Sequence, residues 1–307
     1  MSPNAGLLLE LEHRGYAARV VPVERLADLR ESIEAAYRDH LIDEGLWKEY
    51  LSGFAFAPPD SLEGARSVIV ASSRQPPVRF TFSWEGKRVP AIVPPTYLQW
   101  RRTDGEVQAC LEDILGREGY RVAAAVLPKK LLAVRSGLAA YGRNNITYVP
   151  GMGSFHRLAA FYSDMPCETD GWTGLRAMER CDVCRACLAS CPAGAIGDDR
   201  FLLRAERCIT FHNEKPGQTP FPGWLDPAWH NCLVGCMRCQ MVCPENRGQL
   251  LPAVDGADFS REETELLLAG TPRDGLPEAL AEKLDRWDLA DWAEILPRNL
   301  RALLQRA

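Results

Sequence analysis

The chain has 307 residues, of which 46% are hydrophobic and 25% are charged, as in ordinary globular proteins. This composition excludes collagen-like, low-complexity and intrinsically disordered classes. The net charge is −5, and residues 251–307 hold 7 basic and 12 acidic side chains, so the remaining chain is neutral. Neither part has the basic excess that is typical of nucleic-acid-binding proteins.

The sequence shows no membrane or export signal. No apolar run approaches the roughly 18 residues that a membrane helix needs. The N-terminal residues lack a basic start and become acidic at Glu10, which argues against a secretory signal. We therefore expect a cytoplasmic protein with no membrane partner.

Helical and strand patterns alternate through the first half of the chain. Apolar spacing predicts helices over 7–13, 24–42, 104–118 and 128–140, and strands over 16–23, 65–72, 120–126 and 157–162. Alternation over 78–84 and 88–93, around a Glu-Gly-Lys turn, predicts a hairpin. The order of these elements predicts an α/β (α+β) domain over 1–170. A second module follows over 171–250, and a short, acidic helical tail over 251–307 contains a capping box at Ser260 and Glu263.

Eight of the eleven cysteines form two groups in the second module. The first run is Cys181, Cys184, Cys187 and Cys191, followed by Pro192, and the later group is Cys208, Cys236, Cys239 and Cys243, followed by Pro244. This spacing is typical of a ferredoxin-like module with two [4Fe–4S] clusters, in which the fourth cysteine of a run binds the other cluster. Cluster one is therefore assigned Cys181, Cys184, Cys187 and Cys243. Cluster two is assigned Cys191, Cys208, Cys236 and Cys239.

Other interpretations of the cysteines explain less of the pattern. A four-cysteine zinc site would leave four motif cysteines and both Cys-Pro pairs unexplained. A disulfide framework would need an oxidising compartment. Cys232 is an alternative to Cys208 in cluster two, whereas Cys110 lies in a helical pattern that is typical of a buried thiol. Cys167 has no evident partner.

A Gly-rich segment precedes the cysteine runs. It reads GLAAYGRNN over 137–145 and GMGSF over 151–155. The usual Gly-rich motifs for nicotinamide and ATP are absent from the sequence. Glycines at these positions allow the backbone to approach a ligand closely, although two turns linking a helix to a strand would have the same composition. Lys129, Lys130 and Arg135 form either a small anion patch or a solvated helix face.

The order of these segments resembles the epoxyqueuosine reductases, which are cobalamin-dependent double-cluster enzymes related to reductive dehalogenases. The resemblance rests on the Gly-rich segment, the two cysteine groups with CITF and GCMRCQMVCPEN, and the terminal LPRNLRALL. It implies a corrinoid-binding domain followed by a module that delivers electrons to cobalt. It also implies an electron donor of the reduced ferredoxin or flavodoxin type. By position, it implies a corrinoid site lined by Gly142, Arg143, Asn144, Asn145, Gly153, Ser154 and Phe155.

The chain departs from that family at two points. The family's proton-donating aspartate, in an Asp-Thr-Gly-Pro stretch, is matched here by the uncharged residues 125–128. The family's basic end is matched by an acidic tail, so we expect tRNA to be an unlikely partner and the substrate to be a small or nucleoside-like molecule. Tyr97, Tyr141 and His156 are the candidates for a replacement proton donor.

Three functions follow from this interpretation. The first is an iron–sulfur oxidoreductase that reduces a bound cobalamin and, through it, an unidentified small or nucleoside-like substrate. The second is an electron-transfer protein without a substrate of its own, which the missing aspartate favours. The third is an epoxyqueuosine reductase that acts on tRNA.

Overall fold

The computed structural model of the protein describes residues 2–305. Its helices are Pro3–His13 (α1), Arg25–Arg38 (α2), Glu44–Leu46 (α3), Trp100–Gly116 (α4), Lys129–Arg135 (α5), Ala186–Ser190 (α6), Ile209–Asn213 (α7), Arg238–Met241 (α8), Arg261–Ala269 (α9), Glu278–Arg286 (α10) and Leu296–Leu304 (α11). Its strands are Tyr16–Pro22 (β1), Ser67–Arg74 (β2), Val78–Trp84 (β3), Lys87–Val93 (β4), Val122–Ala124 (β5), Ala140–Tyr141 (β6), Thr147–Tyr148 (β7), His156–Ser163 (β8) and Val254–Phe259 (β9). Within this part of the chain, no helix has the length and apolarity needed to cross a membrane.

The first half of the chain is a three-layer arrangement around an antiparallel sheet. The strand order is β1-β2-β8-β5, and every neighbouring pair is antiparallel. Successive residues of a strand point to opposite faces, so Val68 and Val70 join the core beneath α2 and α5. Ile69 and Ala71 join the core beneath α1 and α4. The predicted mixture of helices and strands is confirmed in this region, and the predicted hairpin is β3–β4.

The tail differs from the sequence-based expectation because it begins with a strand. The predicted capping box at Ser260 and Glu263 is confirmed at the start of α9. Just before it, β9 runs parallel to β3 of the hairpin, with Phe82 stacked on Phe259 at a ring distance of 4.7 Å. Helices α9 to α11 then cover the same sheet. The hairpin carries apolar side chains that its own two strands cannot bury, and the tail supplies the missing layer.

The Gly-rich segment is positioned by the early end of α5. The sequence predicts a helix to residue 140, but α5 ends at Arg135 because Gly137 adopts a positive φ of 75°. The amide of Leu138 then donates to the carbonyl of Ala133 at 2.9 Å, which closes the helix end. The chain turns through the short β6–β7 hairpin, and this hairpin faces the cysteine-rich module.

Candidate iron–sulfur and cofactor site

The four cysteines assigned to cluster one surround a single cavity. Its lining contains Cys181, Cys184, Cys187 and Cys243, together with Gly142, Arg143 and Tyr148 from the β6–β7 region. Three of these cysteines come from one loop and α6, whereas Cys243 follows α8. The structure thus brings together thiols that are about sixty residues apart in sequence, in the grouping that the spacing predicts.

The four cysteines assigned to cluster two form a second, adjoining group. Burial raises the pKa of the Cys239 thiol, and the neighbouring thiols of Cys236, Cys208 and Cys191 raise it further. Burial likewise raises the pKa of Cys236 to about 11, with Cys208 and Cys191 adding to the effect. Cys187 of the first group also acts on Cys239, so the two groups lie side by side. Closely spaced, half-buried thiols of this kind suit a metal cluster that takes them as thiolates.

Cys208 lies close to Cys236 and Cys239, whereas Cys232 lies in a different environment. Cys232 is buried in an apolar cluster with Phe155 and Met237, beside the end of β4. Cys110 is buried in α4, as predicted. Cys167 is half-buried, and its thiol donates to the carbonyl of Thr169 at 3.3 Å.

Tyr97 forms a half-buried pair with an acid that the sequence analysis did not single out. Its hydroxyl donates a hydrogen bond to the Glu214 carboxylate, which follows α7. Burial raises the pKa of Tyr97, and the charge of Glu214 raises it further. Burial raises the pKa of Glu214 to about 7, against the opposing effects of the Tyr97 hydrogen bond and the Lys130 charge. The sequence signal was the position of Glu214, six residues after Cys208, which the spacing assigns to cluster two.

Lys130 lies close to Glu214 and to the cysteines assigned to cluster two, and the region around Tyr97, Glu214 and Lys130 is called the cleft below. Its side chain is exposed, yet desolvation lowers the pKa of its ammonium, against the effects of Cys208, Glu214 and Cys239. The Lys130 Nζ donates to the carbonyl of Asn145 at 3.5 Å. The cleft therefore brings a titratable pair, a cation and the cluster-two thiols close together.

Two large aromatic side chains near this cleft stay exposed. The charge of Glu214 acts on Tyr50. The carbonyl of Phe201 accepts a hydrogen bond from Asn145, and the carbonyl of Asn145 accepts one from Lys130. Exposed apolar groups around a few polar ones are typical of ligand sites.

The four residues of the predicted Gly-Arg-Asn-Asn stretch lie at the junction with the module. Gly142 and Arg143 line the cluster-one cavity. Asn144 donates to the Tyr148 hydroxyl at 3.0 Å, and Asn145, at a positive φ of 55°, donates to the carbonyl of Phe201 at 2.9 Å. The sequence-based interpretation assigned these side chains to a corrinoid site. In the structure, both asparagines form hydrogen bonds with other protein groups. Their role at a corrinoid site remains a prediction.

The Gly-Ser-Phe stretch is bonded to the end of the module. The amide of Ser154 donates to Asn246 Oδ1 at 2.9 Å, and its hydroxyl donates to Gln240 Oε1 at 2.9 Å. A Cβ at Gly153 would lie 2.5 Å from that Asn246 oxygen. Phe155 is fully buried. This stretch fastens the α/β layers to the module.

The other two proton-donor candidates occupy core positions. Tyr141 is buried against Phe201, with its ring centre 5.4 Å away, and burial raises the pKa of its hydroxyl. His156 is buried in β8 with its Nε2 3.0 Å from the carbonyl of Thr147, and burial lowers its pKa. Neither has a contact with Glu214 or Lys130 in the described part of the chain, so Tyr97 is the candidate that the geometry favours.

The stretch that matches the family's aspartate contains no acid, and no neighbouring acid replaces it directly. Ala125 and Leu127 are buried there. Asp104 lies beside the start of α5, but Arg157 binds it at 2.6 and 2.7 Å and Lys129 lies 3.4 Å away. A carboxylate held by two cations is stabilised in its charged form and is a poor proton donor.

The module defines the chain as a double-cluster iron–sulfur protein. The sequence profile described as the 4Fe-4S double cluster binding domain matches residues 180–246, which span both cysteine groups. The chain therefore carries a binding domain for two [4Fe–4S] clusters.

The relatives make the assignment more specific. The chain is 34% identical over 155 residues to an epoxyqueuosine reductase from Burkholderia pseudomallei, a match that covers 47% of this chain and 37% of that relative. It is 33% identical over 138 residues to the enzyme from Bacillus subtilis, covering 45% and 33%. The matches span well under half the length of these curated relatives.

The fold comparison extends over almost the whole chain. The Bacillus subtilis epoxyqueuosine reductase, solved with its catalytic aspartate loop swung out of the active site, has a TM-score of 0.66 at 23% identity over 98% of this chain and 80% of that one. An epoxyqueuosine reductase solved with an epoxyqueuosine-modified tRNA stem loop gives 0.67 at 22% identity, with the same coverage. The predicted resemblance of this chain to the epoxyqueuosine reductases is confirmed by these matches.

The expectation that tRNA is an unlikely partner conflicts with these matches and is corrected. The expectation relied on the acidic tail, but several tail acids are neutralised within the molecule. Asp255 pairs with Arg79 at 2.6 Å, and Asp258 pairs with Arg88 at 2.8 Å, both across the β3–β9 sheet region. Net charge along a sequence does not report the charge that a folded surface presents.

Proposed function

We propose that this chain is a cobalamin-dependent reductase that acts on epoxyqueuosine in tRNA. Electrons from a reduced ferredoxin or flavodoxin-type donor would pass through the two clusters to a cobalamin in the cleft. The observation that carries this proposal is the juxtaposition of the Tyr97–Glu214 pair and Lys130 with the cluster-two thiols in that one cleft. The choice of epoxyqueuosine in tRNA as the substrate is supported by the names of the similar proteins, which are epoxyqueuosine reductases.

The residues of the cleft fit a corrinoid. Its macrocycle presents broad apolar faces and an amide rim, and the cleft offers exposed aromatic side chains at Tyr50 and Phe201. Lys130 and the backbone around Asn145 would bond the amide rim. When bound, cobalamin would supply a metal centre that is reducible by single electrons and reactive toward carbon–oxygen bonds. The protein's part is to position it, exclude water and supply protons.

Removing an epoxide oxygen as water takes two electrons and two protons, so the cleft must deliver protons. Tyr97 would hold the first proton on its hydroxyl, which stays neutral because burial and the nearby carboxylate both raise its pKa. Glu214 accepts the Tyr97 hydrogen bond and, with a pKa of about 7, is protonated part of the time near neutral pH. It would thereby reprotonate Tyr97. Lys130 would balance the charge when Glu214 is ionised.

The first experiment is a titration of anaerobic, cluster-loaded protein with cobalamin, followed by the corrinoid absorption spectrum. Saturable binding that is weakened in Phe201→Ala, which removes an exposed aromatic ring beside Asn145, and unchanged in Leu9→Ala, which removes an exposed apolar side chain on α1, supports the proposed site. The second experiment supplies the loaded protein with reductant and epoxyqueuosine-containing tRNA, and separately with the free nucleoside. Formation of queuosine in tRNA supports the proposal, and turnover of the free nucleoside alone overturns the tRNA substrate.

One observation favours a second candidate. Residues 125–128 contain no acid, so an electron-transfer protein without its own substrate is the alternative. Cobalamin or another acceptor would then be reduced without any product from the tRNA or the nucleoside. Normal reduction with no turnover would replace the proposed function with this one.

A further inference from the structure

Arg143 reaches from the β6–β7 turn into the first cysteine loop. Its backbone N–H donates to the Sγ of Cys181 at 3.4 Å, and its guanidinium donates to the carbonyl oxygen of Cys181 at 2.6 Å. The same guanidinium pairs with Asp198 at 2.7 Å, and the Arg143 side chain is only 17% exposed. A positive charge and an N–H dipole therefore both act on one ligand of cluster one.

The turn holds the Arg143 amide in place. A Cβ at Gly142 would lie 2.5 Å from Asn144 Oδ1 and 2.7 Å from the Tyr148 ring, so only glycine allows this close approach. Asn144 is buried and bonded to Tyr148. The amide that faces Cys181 is thus fixed by packing, independently of the Arg143 side chain.

Asp198 opposes the Arg143 charge. It pairs with Arg143 and also with Arg185, whose Nε lies 2.8 Å from the Asp198 carboxylate. Arg185 also donates to the backbone carbonyl of Asp182 at 3.0 Å. The charge beside Cys181 therefore depends on both arginines and on this carboxylate, in addition to the Arg180–Glu245 ion pair that lines the same cavity.

We propose that Arg143 is a positioning residue that raises the reduction potential of cluster one through Cys181. A [4Fe–4S] cluster with four thiolates carries a charge of about −2 when oxidised and −3 when reduced. Because a nearby positive charge stabilises the more negative form, it favours reduction. The reduction concerned would add one electron from a reduced one-electron carrier to the cluster that these cysteines would hold, with no bond or proton changed. The inference rests on the ligand set given above for cluster one.

The test is a redox titration of the anaerobic, cluster-loaded full chain, followed by electron paramagnetic resonance. In Arg143→Gln the potential of cluster one should become more negative, and in Arg143→Lys the shift should be smaller. In Asp198→Asn it should become more positive, because the arginine charges are no longer balanced. Arg204→Gln is the matched control, since Arg204 pairs with the adjacent Asp199 and has no contact with a cysteine in the described residues; it should move neither potential.

Opposite shifts are the signature of a charge effect, because general loosening of the loop would move both variants in one direction. Shifts of the same sign in Arg143→Gln and Asp198→Asn, or no shift in either, overturn the inference. The variant Cys181→Ser identifies the signal of cluster one by altering or abolishing it. Two unaltered signals in that variant would overturn the ligand set itself, which is a failure of the proposed function and not of the Arg143 effect alone.

Discussion

The hydroxyl of Tyr97 donates a hydrogen bond to the carboxylate of Glu214, although the two residues are 117 positions apart in sequence. The pair forms where the loop after β4 meets the end of α7. Gly235, at a positive φ of 70°, lies against the Tyr97 ring, and a Cβ there would be 2.9 Å from it. Asn213 holds Gly235 through two hydrogen bonds of 2.7 and 3.0 Å. The position of the Tyr97 ring is therefore set by the backbone of the cysteine-rich module.

Replacing Tyr97 tests its role as proton donor. Tyr97→Phe keeps the ring packed and removes only the hydroxyl, so reductase turnover should fall by roughly 10²- to 10⁴-fold. Reduction of the clusters should be unchanged, because no proton is needed for that step. Tyr141→Phe is the matched control, and its turnover should stay within about twofold of the wild type. Equal turnover in Tyr97→Phe and wild type would exclude Tyr97 as the donor.

The pH dependence of turnover should report Glu214. The carboxyl has a pKa of about 7, so its proton is present below that pH and lost above it. Wild-type turnover should therefore decline as the pH rises through about 7. The variant Glu214→Gln should have a lower turnover than the wild type, and its turnover should not decline over this pH range. A profile with the same midpoint in both proteins would show that another group titrates.

The same pKa makes a prediction for stability. Because the folded-state pKa of Glu214 is raised above its usual value of 4.5, the protonated carboxyl favours the folded state. That contribution is complete below about pH 4.5 and is lost as the pH rises through about 7, by an amount on the order of 3 kcal/mol. The melting temperature of Glu214→Gln, relative to wild type, should therefore increase between pH 5 and pH 8. A constant difference across this range would contradict the raised pKa.

Iron analysis distinguishes Cys208 from Cys232 as a cluster ligand. Two clusters correspond to about eight irons per chain. Cys208→Ser should impair cluster two and reduce the iron content toward about four, with cluster one retained. Cys232→Ser should keep about eight irons, because that thiol packs among apolar side chains. The reverse result would exchange the two residues in the ligand set.

The contact between Gly153 and Asn246 should contribute to the docking of the module. Gly153→Ala would place a methyl group 2.5 Å from Asn246 Oδ1 at a positive φ of 58°, so both steric overlap and backbone strain oppose it. We expect a loss of about 2–4 kcal/mol in the free energy of unfolding. Gly151→Ala is the control, because φ is also positive there but no atom lies within 4 Å of the added Cβ. It should cost only about 1 kcal/mol, as measured by denaturant unfolding under anaerobic conditions.

The sequence alone determined the features that depend on local spacing. Apolar periodicity located the helices and strands of the first half, since each period corresponds to one buried face. The cysteine spacing located the cluster module because the cysteines within each run are only two or three residues apart. The capping box at Ser260 is equally local, since its two partners are three residues apart.

Only the tertiary structure decided which distant groups meet. Val254–Phe259 has a mixed polar pattern and becomes a strand because the β3 edge is there to pair with it. Glu214 had no motif of its own, and its raised pKa arises from burial beside Tyr97. Likewise, Arg143 matched a family stretch by position, but the fold directs its guanidinium to Cys181 and Asp198. Pairing, burial and electrostatic environment are set by residues from separate parts of the chain, so local sequence patterns do not encode them.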